Sequence, residues 1–293
     1  MPVRLKVLVD LPRHSRLDPL LDYLASEAWP AGTLVRVPLG RREVCGIVWG
    51  PGDEAEGPDG EGVAVALREI AQGLDALPPL GEAWRRLSAF AATYYQRSLG
   101  EVALGALPPD LRELDATQLA RRLRRGDKLD REAAKAAQSA SADASSPPPE
   151  PSDEQREALA QLAALPPGPV LLFGATGSGK TEVYLREAAR VLEAGCQVLV
   201  LVPEINLTPQ LEARLAARFP GRRLVSLHSG LTPAQRLQGW LAAHLGRADL
   251  VLGTRMAIFA SLPRLGLIVV DEEHDPSYKQ QDGARYSARD LAV

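Results

Sequence analysis

The octapeptide Gly174-Ala-Thr-Gly-Ser-Gly-Lys-Thr181 follows an apolar run, Pro169-Val-Leu-Leu-Phe173, and opens a stretch of helical spacing that closes at Gly195. A glycine-rich turn between a strand and a helix is the P-loop arrangement. Its glycines let the backbone wrap a phosphate, while amide N–H groups and the positive end of the helix point at the anion. Such a loop commits the surrounding chain to alternating strands and helices. From Ser152 onward PVLLF, TEVYLREAARVLEAG, QVLVLV, PQLEARLAARF, LVSLH, PAQRLQGWLAAHL, DLVLG and LGLIVV succeed one another. Short β-branched runs between amphipathic helices predict an α/β unit, a parallel sheet with helices on both faces. Ser152 and Gln155 fit a capping box that starts its first helix.

The chemistry of the loop follows from its residues. Gly174, Ala175, Thr176, Gly177, Ser178 and Gly179 form the cradle, Lys180 brings a point charge to the β and γ phosphates of ATP, and Thr181 offers a hydroxyl to Mg²⁺. The apolar run LGLIVV ends abruptly in Asp271-Glu272-Glu273-His274. Asp271 is placed to hold Mg²⁺, usually through water, and Glu272 to orient and deprotonate an attacking water; a salt-bridged surface cluster is the plainer alternative. Gln155 can donate to and accept from the adenine edge, or be an exposed helix glutamine. No LSGGQ-like signature of transport ATPases occurs.

Residues 1–110 have another texture. RLKVLVDL, TLVRVPLG and EVCGIVWG read as short strands bounded by Pro or Gly, residues 51–62 are turn formers and acids, VAVALREI returns to strand, and EAWRRLSAFAATYYQ has helical spacing. Pro108 and Pro109 close this β-rich unit. Residues 111–150 hold one polar helix and then an Ala/Ser/Pro-rich tract read as linker, leaving 151–293 for the α/β unit. On the polar helix, Arg121, Arg122, Arg124 and Arg125 lie beside Leu111, Leu114, Leu119 and Leu123, as a solvated face or a phosphate contact.

Composition excludes several classes. A chain 45% apolar and 24% charged is ordinarily globular, and a net charge of −3 argues against a protein that coats nucleic acid nonspecifically. Two distant cysteines, Cys45 and Cys196, build neither a disulfide framework nor a four-ligand zinc site, which points to a reducing cytoplasm. No apolar stretch reaches the roughly twenty residues of a membrane span.

The DEEH tetrad, with VPEINLTPQ (202–210), LHSGL (227–231), GTRMAIFA (253–260) and DPSYKQQDGARYSARDLAV (275–293), closely resembles the primosomal protein N′ family, PriA, of superfamily 2 DNA helicases. The likeness is continuous from about Ser152 to Val293 and weaker over residues 1–110. It implies a RecA-like motor lobe and an N-terminal domain that captures the 3′ end of a nascent strand, with Leu21, Asp22, Gly40 and Arg68 at the pocket positions. Leu21 and Leu39 stand where phenylalanine is common, and Arg68 where lysine is common. The implied activity is that of an ATP-dependent 3′→5′ helicase of replication restart that recognises stalled forks and starts primosome assembly. Implied partners are forked and single-stranded DNA, single-stranded-DNA-binding protein and primosome proteins. In the loop after the tetrad, Tyr278 and Tyr286 are expected to stack on bases, and Lys279 and Arg285 to meet phosphates.

Residues 111–150 are too short for the family's winged helix, which is expected to be reduced or absent. The chain stops at Val293, so an incomplete first lobe with an unpaired strand edge is expected, with the second lobe, its arginine fingers and a Cys-rich zinc module outside it. On that expectation the chain binds ATP·Mg²⁺ without useful turnover. A non-catalytic fork-binding or helicase-loading protein, with a vestigial or switching nucleotide site, is the competing reading.

Overall fold

The computed structural model describes residues 2–12, 18–52, 67–140, 149–175 and 177–293. An antiparallel sheet of order β2-β1-β4-β3-β5 comes first, built from β1 (Val3–Leu8), β2 (Leu20–Ala25), β3 (Leu34–Leu39), β4 (Arg42–Pro51) and β5 (Gln72–Gly73). Strand side chains alternate between faces. Leu5, Val7, Tyr23, Val35, Val37 and Val48 therefore build a small core on one side, while Leu8, Leu34, Cys45 and Ile47 face the other. The three expected strands are β1, β3 and β4. β2 was not foreseen, because Asp22 interrupts its apolar run; it is held by six-residue pairing along β1. The first half of VAVALREI lies outside the described residues, and its end, Arg68 to Ile70, bonds to the backbone of Leu24.

Four helices follow: α1 (Glu82–Tyr94), α2 (Leu99–Gly105), α3 (Pro109–Glu113) and α4 (Ala116–Ala140). Asp115 caps α4 by accepting the Gln118 N–H at 2.7 Å, and Gln118 answers by accepting the Asp115 N–H at 3.1 Å. This box splits the single helix expected here in two. It also corrects the reading of AAKAAQSA as linker, since the helix runs on to Ala140. Ala, Lys and Gln favour helix locally without needing a core to pack on.

The second sheet is parallel, of order β7-β8-β6-β9, from β6 (Gln197–Leu201), β7 (Leu224–Leu227), β8 (Leu250–Gly253) and β9 (Leu265–Val270). Around it run α5 (Asp153–Ala164), α6 (Lys180–Glu193), α7 (Pro209–Arg218), α8 (Pro233–His244) and α9 (Ala288–Ala292). Period-two alternation divides the sheet's side chains. Val198, Val200, Leu250, Leu252 and Val269 meet α6 and α7, whereas Leu199, Leu201 and Val251 meet α8 and the turn Arg255–Phe259.

One expected strand is missing. Residues 169–173, before the P-loop, join no sheet, and Phe173 is 93% exposed. β9 is correspondingly an edge among the described residues. A parallel strand is stabilised by its ladder and by cover on both faces, and this apolar pentapeptide has neither here.

The two halves share one core. Leu80, Trp84, Leu104, Leu107 and Leu111 pack in the same cluster as Leu237, Trp240, Leu241 and Phe259. Trp84 Nε1–H donates to the Phe259 carbonyl at 2.8 Å, and His244 bridges the Ser261 hydroxyl and the Pro78 carbonyl, both at 2.8 Å. Burial holds the His244 pKa below its ordinary value, against the hydrogen bond to Pro78, which raises it.

Candidate functional site

At the P-loop, Gly177 and Gly179 adopt φ of 82° and 85°, left-handed values that an L side chain rarely takes. Gly179 forms the N-terminal boundary of α6. A Cβ on it would lie 2.3 Å from Gln155 Nε2. The Lys180 ammonium turns back into the loop, donating to the carbonyls of Gly174 at 2.6 Å and Ala175 at 3.0 Å. Thr176 lies outside the described residues, and Ser178 N–H closes the turn on the Ala175 carbonyl at 3.1 Å. The capping box is formed as expected, Ser152 Oγ accepting from Gln155 N–H and Gln155 Oε1 from Ser152 N–H. Gln155 Nε2 donates to the Gly179 carbonyl at 3.1 Å, so both ends of the amide are engaged and latch α5 to the loop.

The acidic tetrad is carried to the same place by β9. Asp271 N–H continues the ladder onto the Leu201 carbonyl at 2.9 Å, which fixes the carboxylate at the strand's C-terminal end. Tyr184, one turn into α6 and beside Thr181, lies 3.4 Å from Asp271 Oδ2. Burial, reinforced by the Asp271 charge, pushes the Tyr184 pKa up to about 12, so it stays a neutral donor. Burial and then the neighbouring Glu272 charge raise the Asp271 pKa. Glu272 adopts φ of 46°, and its N–H donates to Asp271 Oδ1 at 3.1 Å. A left-handed non-glycine residue costs roughly 1–3 kcal/mol, and such strain concentrates at functional sites. His274 Nε2 approaches Glu272 Oε2 at 3.8 Å, and Arg289 reaches Glu273 at 3.6 Å.

The segment after the tetrad is arranged differently from the expectation. Tyr278 is 2% exposed, and its hydroxyl donates to the carbonyls of Leu201, 3.0 Å away, and Asp271, 2.5 Å away. Buried carbonyls at a strand end need donors; Tyr278 supplies one and has no ring surface left for a base. The Tyr286 ring packs edge-to-face on Phe259 at 5.0 Å. Only Lys279 and Arg285 of the four are exposed, Lys279 lying 5.1 Å over the Tyr95 ring. Arg255 ties this segment to the loop after β6: it donates to Gln280 Oε1 at 2.6 Å and to the Ser277 carbonyl at 3.2 Å, and pairs with Glu204 at 3.3 Å.

In the first sheet, Gly40 takes φ of 61° in the two-residue turn between Leu39 and Arg42, and Arg68 donates to its carbonyl at 2.7 Å. Tyr23, close to Arg68, donates to the Pro38 carbonyl at 3.0 Å. Leu21 projects on the same face as Tyr23. Asp22 projects from the opposite face, where Arg4 holds Oδ2 at 2.8 Å while Oδ1 is buried without a hydrogen-bond partner among the described residues. Gly40 and Arg68 thus meet, and Asp22 stands apart from them.

The comparisons with known proteins divide the chain the same way. The family model described as 3'DNA-binding domain (3'BD) matches residues 6–108, and that described as DEAD/DEAH box helicase matches residues 152–292. Proteins named replication restart protein PriA are similar along nearly the whole chain: that of Rickettsia felis is 34% identical over 278 residues, and that of Treponema pallidum 33% over 296. The chain belongs to the PriA family. These matches cover 93% and 99% of the chain but 38% and 41% of the relatives, so the chain spans about two fifths of their length. PriA of Haemophilus influenzae is 55% identical over 123 residues, 42% of this chain and 17% of its own. The PriA assignment accounts for both sheets, the antiparallel one in the DNA-binding part and the parallel one, consistent with a RecA-like motor lobe, in the helicase part.

Reading the sequence missed Tyr184, Arg255 and the buried role of Tyr278. Tyr184 follows Thr181 by three residues on one helix face, a spacing that could have marked it. Nothing local marks Arg255, whose partners lie 22, 25 and 51 residues away in sequence.

Proposed function

We propose that this chain carries the DNA-end-binding module and first motor lobe of an ATP-dependent 3′→5′ DNA helicase that recognises stalled forks and starts primosome assembly. The observation behind the reading is the meeting of Thr181, Tyr184 and Asp271 beside Lys180. A hydroxyl and a carboxylate are the hard oxygen donors Mg²⁺ takes. The two carbonyls that hold the Lys180 ammonium are the weaker partners a phosphate would replace. In this reading Gly174–Thr181 cradle the phosphates, Thr181 and Asp271 hold the metal, and Glu272 orients the attacking water. Bound ATP·Mg²⁺ supplies the phosphoryl group transferred to that water. At the other end of the chain, Asp22 Oδ1 lacks a donor among the described residues, which a terminal 3′-hydroxyl would provide. Leu21, Gly40 and Arg68, on the other side of the sheet from Asp22, contact the DNA beyond that hydroxyl, and Lys279 and Arg285 contact single-stranded DNA. Single-stranded-DNA-binding protein and primosome proteins are the proposed protein partners.

One observation favours the non-catalytic alternative. Residues 169–173 join no sheet, so the loop lacks a strand to anchor its leading end.

Two measurements test the proposal. Binding of a fluorescent ATP analogue with Mg²⁺ should be lost in Lys180→Ala. Anisotropy with forks ending in 3′-hydroxyl or 3′-phosphate should show preference for the hydroxyl, abolished in Asp22→Ala. Nucleotide binding that ignores Lys180 overturns the motor assignment, and equal affinity for both ends overturns the pocket. A DNA-stimulated hydrolysis rate well above that of Lys180→Ala excludes the non-catalytic alternative.

A further inference from the structure

The arginine-rich stretch of α4 has no part in either site described above. Arg121, Arg122, Arg124 and Arg125 are all exposed, and none has an acidic partner among the described residues. Four guanidinium groups within five residues repel one another, on a chain whose net charge is −3. Position on the helix separates them. Arg122 and Arg125, one turn apart, line a cleft of about 210 Å³ between α4 and α8, and Arg121 and Arg124 stand outside it. Arg223, before β7, and Arg247, after α8, enter the same cleft from the motor lobe. Asp127 meets Arg247 at 2.6 Å beside the cleft, and no acidic residue lines it among the described residues. Leu123, Leu237 and Leu241 form an apolar floor, which keeps water from below the guanidiniums and strengthens their attraction for an anion.

We infer that this cleft and the outer face of α4 together form a second DNA-backbone site, at the junction between the DNA-end module and the motor lobe. The inference rests on the proposed DNA-binding function. An extended polyanion is favoured because the charge does not converge on one point: it lines both walls of the cleft and continues around α4 to Arg121 and Arg124. A sugar–phosphate backbone presents charge at regular spacing and meets both sets, whereas a short acidic peptide anchored in the leucine floor would engage only the inner pair. Among the described residues no aromatic side chain lines the cleft, so bases have nothing to stack on, and the contact should be independent of sequence. The shared core around Trp84, Leu111 and Leu237 joins this surface to the DNA-end module.

The test uses the whole chain, a fluorescein-labelled fork with a 3′-hydroxyl, and a labelled polyglutamate peptide. In Arg122→Ala with Arg125→Ala, fork affinity should fall on the order of tenfold at moderate salt, and the slope of log affinity against log salt should become shallower by about 2, one phosphate contact per arginine. Preference for 3′-hydroxyl over 3′-phosphate should persist, since it belongs to the Asp22 pocket. Unchanged fork affinity and salt slope overturn the inference, and so does a loss confined to the peptide. If the double variant weakens binding while Asp22→Ala leaves end preference intact, the backbone site stands and the pocket falls.

Discussion

The Tyr184 hydroxyl and Asp271 Oδ2 lie 3.4 Å apart, joining the first turn of α6 to the end of β9 across 87 residues of sequence. Tyr184 also sits beside Thr181, so one phenol stands between the two groups proposed to hold Mg²⁺. Tyr184→Phe keeps the ring in its packing and removes the bridge. Loss of a hydrogen bond to a charged group, about 1.5–3 kcal/mol at most, should weaken Mg²⁺-dependent nucleotide affinity roughly tenfold. Titration of a fluorescent ATP analogue with Mg²⁺ and with EDTA reads it: the two proteins should differ only when metal is present.

Gly179→Ala places a methyl group at φ of 85°, 2.3 Å from Gln155 Nε2. The side chain of Gln155 can move away, but the left-handed backbone cannot be relieved, at a cost of about 1–2 kcal/mol. The loop should change shape with little effect on the fold. Nucleotide affinity is expected to drop tenfold or more while the melting temperature changes by only a few degrees, and a large fall in melting temperature would contradict this.

Trp84→Phe removes the only side-chain donor seen on the Phe259 carbonyl among the described residues. A buried carbonyl left unpaired costs about 1–3 kcal/mol. Because one core spans both halves, unfolding in urea should remain a single transition, shifted to lower denaturant, by circular dichroism and by tryptophan fluorescence alike. Two separated transitions in the unsubstituted chain would show that the halves fold independently.

The buried His244 should make the junction sensitive to acid. Its folded-state pKa lies below the ordinary value of 6.5, chiefly through burial, so the unfolded chain takes up the proton first. Its contribution to stability is therefore fully present above pH 6.5 and is lost as pH falls from there through the folded-state value. Melting temperatures at pH 8 and pH 5.5 should diverge more for the natural chain than for His244→Gln. An equal drop in both would remove His244 from the acid response.

The P-loop, the acidic tetrad, the capping box at Ser152 and the parallel-sheet class were all legible in the sequence, since each rests on neighbours within a few residues: glycines where φ must be positive, a serine three residues before a glutamine, short β-branched runs between amphipathic helices. What lay beyond it was settled by contacts distant in sequence. β2 became a strand because β1 offered a ladder, and residues 169–173 did not because nothing paired with them. Tyr278, aromatic and in a loop, read as a base-stacking residue, yet the carbonyls of Leu201 and Asp271 drew it inward. The arginines of α4 were visible from the start, but only the packing of α4 against α8 divided them into a pair facing the motor lobe and a pair facing solvent. Spacing along the chain fixes which groups share a helix face or a strand face. Which surface then covers that face depends on desolvation and on pairing between segments that no local pattern encodes.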